Sequence, residues 1–203
     1  MVTIPYVNRR EVEHLQRSLS SAELASIQWI DTNLTDEAQV RALVEAMPQV
    51  DVLIHLVGGF SMAPTATYPL DQWQRDLTLN LTSTFLVCKH CLARMQTNGY
   101  GRIVTIGSGA ALNPGAQMVG YAAAKAGVVA LTQAIAAETK GTQITANCVL
   151  PSLIDTPANR AAMGDAASQA GVSPQALGQL ICYLASDAAI DLRGAAIPVF
   201  GNT

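Results

Sequence analysis

The sequence predicts an α/β protein, a parallel sheet with helices on both of its faces. Short apolar runs at 27–30, 52–56, 103–106 and 144–150 alternate with stretches of helical periodicity. Those runs are near-continuous rather than alternating, which marks strands buried on both sides, as parallel strands are. Half of the 203 residues are hydrophobic, enough to build a substantial core. No internal repeat, low-complexity tract or long linker interrupts the pattern, so a single domain spanning 1–203 is expected.

The elements follow from local chemistry. Val40, Leu43, Val44 and Met47 trace one helical face, with Thr35 as its expected N-cap. The run at 52–56 ends before Gly58 and Gly59, where the backbone can approach a ligand. Trp73, Leu77, Leu81, Phe85, Cys88, Leu92 and Met95 form the apolar stripe of a long helix that also carries Asn80. A strand at 101–108 closes on small residues. A loop containing Asn113-Pro114-Gly115 follows, then a helix over about 119–139. After the strand at 144–150, the segment 152–172 is rich in Ala, Ser and Gly and is expected to be an irregular loop.

Composition narrows the function classes. A net charge of −3 gives no basic footprint for nucleic acid. Four scattered cysteines do not make a disulfide framework, which points to a reducing, cytoplasmic compartment. Cys88-Lys-His-Cys91 has the outline of a redox or zinc motif, but it lies mid-helix with no second ligand pair, so both thiols are expected to pack in the core and no metal is expected. No charged head and long apolar run open the chain. The Ala-rich stretch after Tyr121 is broken by Lys125 and polar residues, which argues against a membrane span.

The chemistry gathers at Ser108 and Tyr121-Ala-Ala-Ala-Lys125. Tyr121 and Lys125 are one helical turn apart and project from one face. An ammonium beside a phenol favours the phenolate, lowering a pKa that starts at about 10. Reaching neutrality would take about 3 units, or about 4 kcal/mol. Tyr121 is therefore the candidate general acid/base, with Ser108 placed to bond the same substrate oxygen.

A serine at the end of a strand, followed by Tyr-x-x-x-Lys on the next helix, resembles the short-chain dehydrogenase/reductase family. The resemblance runs through most of the chain. Asn80 in Leu77-Thr-Leu-Asn-Leu-Thr-Ser-Thr-Phe85 matches the family's catalytic asparagine, and Pro151-Ser-Leu-Ile-Asp-Thr156 its Pro-Gly-x-x-x-Thr turn, with Ser152 in place of glycine. The segment 192–201 is similar to the closing strand. The resemblance implies a Rossmann-like doubly wound parallel sheet and an NAD(P)-dependent alcohol/ketone oxidoreductase. Its catalytic residues would be Asn80, Ser108, Tyr121 and Lys125. Cofactor contacts are implied at Asn33, Leu34, Val57, Gly58, Tyr121, Lys125, Pro151, Ile154 and Thr156. His55-Leu56-Val57-Gly58 replaces the family's Asn-Asn-Ala-Gly, and His55 is read as a packed or solvent-facing imidazole.

One family motif is missing. Members open with a strand, a glycine-rich turn whose backbone amides meet the cofactor diphosphate, and a helix. Here the first glycine is Gly58. Residues 1–6 are similar to the family's second strand, followed by a helix at about 9–18, so the chain is expected to lack one N-terminal strand and one helix. Each buried ladder group left unpaired by such a loss would cost about 1–3 kcal/mol.

Cofactor choice leans on the same region. No carboxylate follows the first strand at Tyr6-Val7, while Arg9 and Arg10 stand where a 2′-phosphate would lie, favouring NADP over NAD. A serine hydrolase is excluded: Ile106 and Ala110 break the Gly-x-Ser-x-Gly elbow, and His14, His55 and His90 all precede Ser108. The alternative expectation is a cofactor-free, non-catalytic assembly partner, supported by the absent glycine loop. The resemblance further implies a homodimer or homotetramer and a small-molecule carbonyl or alcohol substrate. Met118 and Met163 are candidate pocket residues.

Overall fold

A computed structural model describes residues 1–165 and 169–202 of the chain. They divide into two compact units, Met1–Pro48 and Gln49–Thr203.

The first unit is a βαβ arrangement. Strand β1 (Val2–Tyr6) pairs in parallel with β2 (Ile27–Asp31), in register from Val2 opposite Ile27 to Tyr6 opposite Asp31. Helix α1 (Arg9–Gln16) and the short α2 (Ser21–Ala25) form the crossover, and α3 (Glu37–Glu45) follows. Each helix start is satisfied by a side chain. Asn8 accepts the Arg10 amide, Ser20 and Glu23 form a reciprocal capping box, and Asp36 accepts the amides of Ala38 and Gln39. The expected cap Thr35 is therefore displaced by its neighbour. Asp36 is preferred because one carboxylate oxygen reaches two amides, at 2.9 and 3.2 Å. Val40, Leu43 and Val44 are buried, as their spacing predicts.

The expectation of a missing N-terminal strand and helix is corrected. The chain opens with strand β1 and helix α1. The absent glycine turn misled, because neither element needs one: β1 is held by its ladder to β2, and α1 by the Asn8 cap.

In the second unit four parallel strands stand in the order β3-β4-β5-β6. These are β3 (Val52–His55), β4 (Gly101–Ile106), β5 (Ile144–Pro151) and β6 (Ala196–Val199). The parallel α/β architecture is as expected, but hydrogen bonding organises it as two sheets, one in each unit. β5 is buried along its whole length. On one face Val104 and Val149 pack with Val172, Leu177, Leu184 and Ala189. On the other, Cys148 and Leu150 pack with Val128, against Leu81 and Val129.

The predicted long helix is three segments: α4 (Leu70–Leu77), a π-helical turn (Thr78–Thr82) centred on Asn80, and α5 (Ser83–Asn98). Such a turn widens the helix by one residue and tends to mark functional sites. Cys88 and Cys91 are buried on α5, and burial pushes each thiol up to about 12. Helix α6 (Val119–Glu138) carries Tyr121 and Lys125 and lies against β5. Helix α7 (Pro157–Met163), begun by a Thr156 cap and Pro157, gives part of the expected irregular segment 152–172 regular structure; residues 166–168 of it lie outside the described residues. Helix α8 (Pro174–Leu184) was not anticipated. Its signal was present: a Ser173 cap, Pro174 at the first position, and Leu177, Ile181 and Leu184 at helical spacing.

Candidate active site

β3, β4 and β5 run parallel in register, so their C-terminal ends and the loops that follow fall along one edge of the sheet. That edge delivers Gly58 and Gly59 after β3, Ser108 after β4, and Thr156 after β5. Two helices complete it: the π-turn presents Asn80, and the first turns of α6 present Tyr121 and Lys125.

Ser108 has an extended backbone, and its hydroxyl accepts the Ala110 amide at 3.2 Å. The same hydroxyl lies near the Tyr121 phenol, close enough to act on its pKa. Phe60 packs edge-on against the Tyr121 ring, with centroids 5.0 Å apart at 82°. Phe60 carries no signal in the sequence that marks it as a site group. Lys125 is buried on the same helical face, its Nζ 5.9 Å from the Tyr121 ring centroid, and it donates to the Ile106 carbonyl at 2.8 Å. That bond anchors the ammonium on the end of β4.

Asn80 is fully buried. Its Nδ2 donates to the Asp76 carbonyl at 3.0 Å, and its Oδ1 accepts the Gly59 amide at 3.1 Å. A Cβ added at Gly58 would come within 2.7 Å of Asn80 Oδ1 and 3.2 Å of Lys125 Nζ. Gly58 is thus required by close approach, and it brings the β3 loop onto both residues. The structure thus brings Asn80, Lys125 and Gly58 together, with Tyr121 beside Lys125 and Ser108 near its phenol.

The electrostatics differ from the simple expectation. Burial holds Tyr121 above its ordinary pKa, and the Ser108 hydroxyl opposes that rise. Burial also lowers Lys125 to about 8, with Cys148 acting in the opposite direction. His55 is buried at the end of β3, held down to about 4 by burial and by the Lys125 charge. The packed reading of His55 is the one observed. Ser83 donates its hydroxyl to the Leu79 carbonyl at 2.6 Å, so His55 Nε2, 3.4 Å from that oxygen, carries the proton toward it.

The remaining positions are more dispersed. Val57 lies part-exposed in the loop after β3, and Pro151 ends β5 buried. Ile154 forms a bridge with Val172, and Thr156 caps α7 by accepting the Asn159 amide at 3.2 Å. Ser152, where the family has glycine, donates to the Phe200 carbonyl at 2.7 Å, which ties the loop to the end of β6. Asn33 and Leu34 belong to the first unit, where Leu34 is buried. Asn33 Oδ1 accepts both the amide and the hydroxyl of Thr35, at 3.0 and 2.8 Å, so both of its lone pairs are engaged. Met118 packs against Gly115, and Met163 is exposed.

Residues 2–167 match the family model described as short chain dehydrogenase. The chain is a short-chain dehydrogenase. The D-threitol dehydrogenase of Mycolicibacterium smegmatis is 31% identical over 183 residues, covering 84% of this chain and 70% of that protein. The cis-4-hydroxycyclohexanecarboxylate dehydrogenase of Sinomonas cyclohexanicum is 32% identical over 187 residues, covering 86% and 75%. Among solved structures, sorbitol-6-phosphate 2-dehydrogenase from Erwinia amylovora superposes with a TM-score of 0.86 at 26% identity, covering 98% of this chain and 88% of that one.

The dehydrogenase is accordingly an oxidoreductase of NAD(P)-dependent hydride transfer on alcohol and ketone substrates, built on an NAD(P)-binding parallel α/β fold. The family match begins at Val2, the first residue of β1. The residues fit the two ends of the cofactor unequally. The nicotinamide end fits: the Lys125 ammonium, bonded to Ile106, has further N–H donors to offer beside Tyr121. The diphosphate is matched less well: no glycine-rich turn precedes Gly58.

Proposed function

We propose that Tyr121 is the proton donor and acceptor of the reaction, with Ser108 holding the substrate oxygen against it. The observation that supports this reading is the grouping itself: the Ser108 hydroxyl lies near the Tyr121 phenol, Phe60 packs edge-on against that ring, and the buried Lys125 ammonium stands one helical turn away. A carbonyl oxygen inserted there would meet two hydroxyl donors. Their hydrogen bonds strengthen as negative charge develops on that oxygen, which lowers the barrier. The cofactor, when bound, supplies or accepts the hydride. Lys125 would hold the nicotinamide ribose and favour the phenolate, and Asn80 would order a relay beneath it. Val57, Pro151, Ile154 and Thr156 would line the nicotinamide side, and Asn33 and Leu34 the adenine side.

NADP is the proposed cofactor. Arg9 and Arg10 are exposed at the start of α1, and no carboxylate stands at the end of β1 to bond ribose hydroxyls. We further propose a cytoplasmic homodimer or homotetramer assembled through α5 and α6, where Phe85 is exposed beside a cavity of about 260 Å³ lined by Leu92, Leu131 and Ile135.

D-threitol and cis-4-hydroxycyclohexanecarboxylate, the substrates named for the two relatives, are the first probes. Tyr121→Phe is expected to lower kcat by about 10²–10⁴-fold, the usual contribution of a positioned acid/base, while calorimetric binding of NADPH is unchanged. Undiminished turnover in Tyr121→Phe overturns the assignment.

A further inference from the structure

We infer that Asp76 is a positioning residue of this active site, a clasp that fixes Asn80 and Tyr121 relative to one another. The inference rests on the roles proposed for those two residues.

Asp76 lies on α4, one helical turn before Asn80, and is buried. Its carboxylate is met by neutral donors from two elements. The Ser61 hydroxyl lies 2.8 Å from both oxygens, Gln72 Nε2 donates at 3.0 Å, and the Tyr68 hydroxyl donates to Oδ2. Ser61 and Tyr68 also bond each other at 2.6 Å. Arg75, next in sequence, turns to Asp71 at 2.6 Å and to Gln72 at 2.9 Å. The guanidinium nearest in the chain is thus spent elsewhere, while a buried carboxylate requires charge compensation.

That compensation comes from α6. A Cβ at Gly120 would overlap Asp76 Oδ2 and come within 3.0 Å of the Tyr68 hydroxyl, so the carboxylate sits against the second residue of the helix. Helix α6 has no side-chain cap and no acidic residue in its own first turn. An anion at a helix N-terminus is favourable, and α4 supplies it here. The next residue is Tyr121.

The main chain of Asp76 grips the other side of the site. Its carbonyl accepts Asn80 Nδ2 at 3.0 Å, and Asn80 Oδ1 in turn accepts the Gly59 amide at 3.1 Å. One residue therefore holds Asn80 by its backbone and the start of the Tyr121 helix by its side chain. Ser61 and Tyr68 brace it from the loop that also carries Phe60, the ring packed on Tyr121.

The test reads the position of Tyr121 directly. Protein labelled with [13Cζ]tyrosine is compared for wild type, Asp76→Ala, Asp76→Asn and Tyr68→Phe, with Tyr121→Phe assigning the resonance. Asp76→Ala is expected to shift or broaden the Tyr121 signal and to lower kcat about tenfold at unchanged cofactor affinity. Asp76→Asn, which keeps one acceptor oxygen but loses the charge facing α6, is expected to restore the signal in part. A purely structural role would lower the melting temperature of Asp76→Ala and leave the Tyr121 resonance native. A native resonance in both Asp76→Ala and Tyr68→Phe overturns the inference. Should Asp76→Ala not fold, Tyr68→Phe and Ser61→Ala carry the same readout. Full turnover in Tyr121→Phe, with a displaced signal in Asp76→Ala, sinks the catalytic assignment and leaves the clasp standing.

Discussion

The side-chain carbonyl of Asn80 accepts the backbone amide of Gly59 at 3.1 Å, and this bond seats the loop after β3 on the π-turn. It places Gly58 so close that a methyl group there would meet Asn80 Oδ1 at 2.7 Å and Lys125 Nζ at 3.2 Å. Neither neighbour can retreat freely, because Asn80 is fully buried and Lys125 is bonded to Ile106. Gly58→Ala is expected to cost about 1–3 kcal/mol of stability through overpacking. Turnover should fall more than tenfold, because both displaced groups serve the site. Urea unfolding alongside steady-state kinetics measures the two effects; wild-type values in both would refute the packing argument.

His55 makes stability depend on acid. Its folded pKa of about 4 lies below the ordinary value of 6.5 because burial and Lys125 disfavour the imidazolium. The unfolded chain therefore binds a proton between pH 6.5 and 4 that the folded chain refuses. Stability is full above about 6.5 and falls as pH drops through that window, by about 3 kcal/mol at its lower end. His55→Asn should flatten the fall. The check is ΔG of unfolding against pH for both proteins, and identical curves would count against it.

Lys125 acts in the opposite range. Its folded pKa of about 8 lies below 10.5, so burying the charge is a penalty, fully present below pH 8. Between pH 8 and 10.5 the folded lysine is neutral while the unfolded one still holds its proton, so the penalty shrinks across this window and is gone at its upper end. Lys125→Met is expected to stabilise the fold by about 1–3 kcal/mol at pH 7, an advantage that shrinks above pH 8, and to abolish turnover. Denaturation at pH 7 and pH 10 separates the two states; a destabilised Lys125→Met at pH 7 would mean that the bond to Ile106 outweighs the buried charge.

Arg102 is a structural anchor at the opposite end of β4 from Ser108. It is 1% exposed, and its guanidinium serves the carbonyls of Gly101, Gln143 and Ser186 as well as Asp187. The Asp187 side chain is 80% exposed, so solvent screens that ion pair. Arg102→Met should cost about 3–5 kcal/mol, since it strands buried acceptors. Asp187→Asn should cost under about 1 kcal/mol. Activity per folded molecule is expected to stay at the wild-type level in both, and equal losses of stability would contradict the assignment.

The strand–helix alternation, the burial of β4 and β5 on both faces, and the grouping of Ser108, Tyr121 and Lys125 are legible in the order of the amino acids. Each of these is written in local pattern. Val104 and Val149 lie in continuous apolar runs, Tyr121 and Lys125 share a helical face by their spacing, and Ser108 ends a strand. Burial of Cys88 and Cys91 was equally legible, because both lie on the apolar stripe of α5.

Relations between elements distant in sequence arise only on folding. The absence of an early glycine read as the absence of a strand and a helix, yet pairing to β2 and the Asn8 cap make both without one. The π-turn at Asn80 has no counterpart in the helical spacing of the sequence, which runs on as one stripe from Trp73 to Met95. Spacing put Lys125 beside Tyr121 and predicted a lowered phenol. The fold buries both groups, and desolvation, a property of the surrounding atoms rather than of the pair, raises Tyr121 and lowers Lys125. Asp76 reads in sequence as a polar helix residue; only the approach of Gly120, 44 positions later, turns it inward.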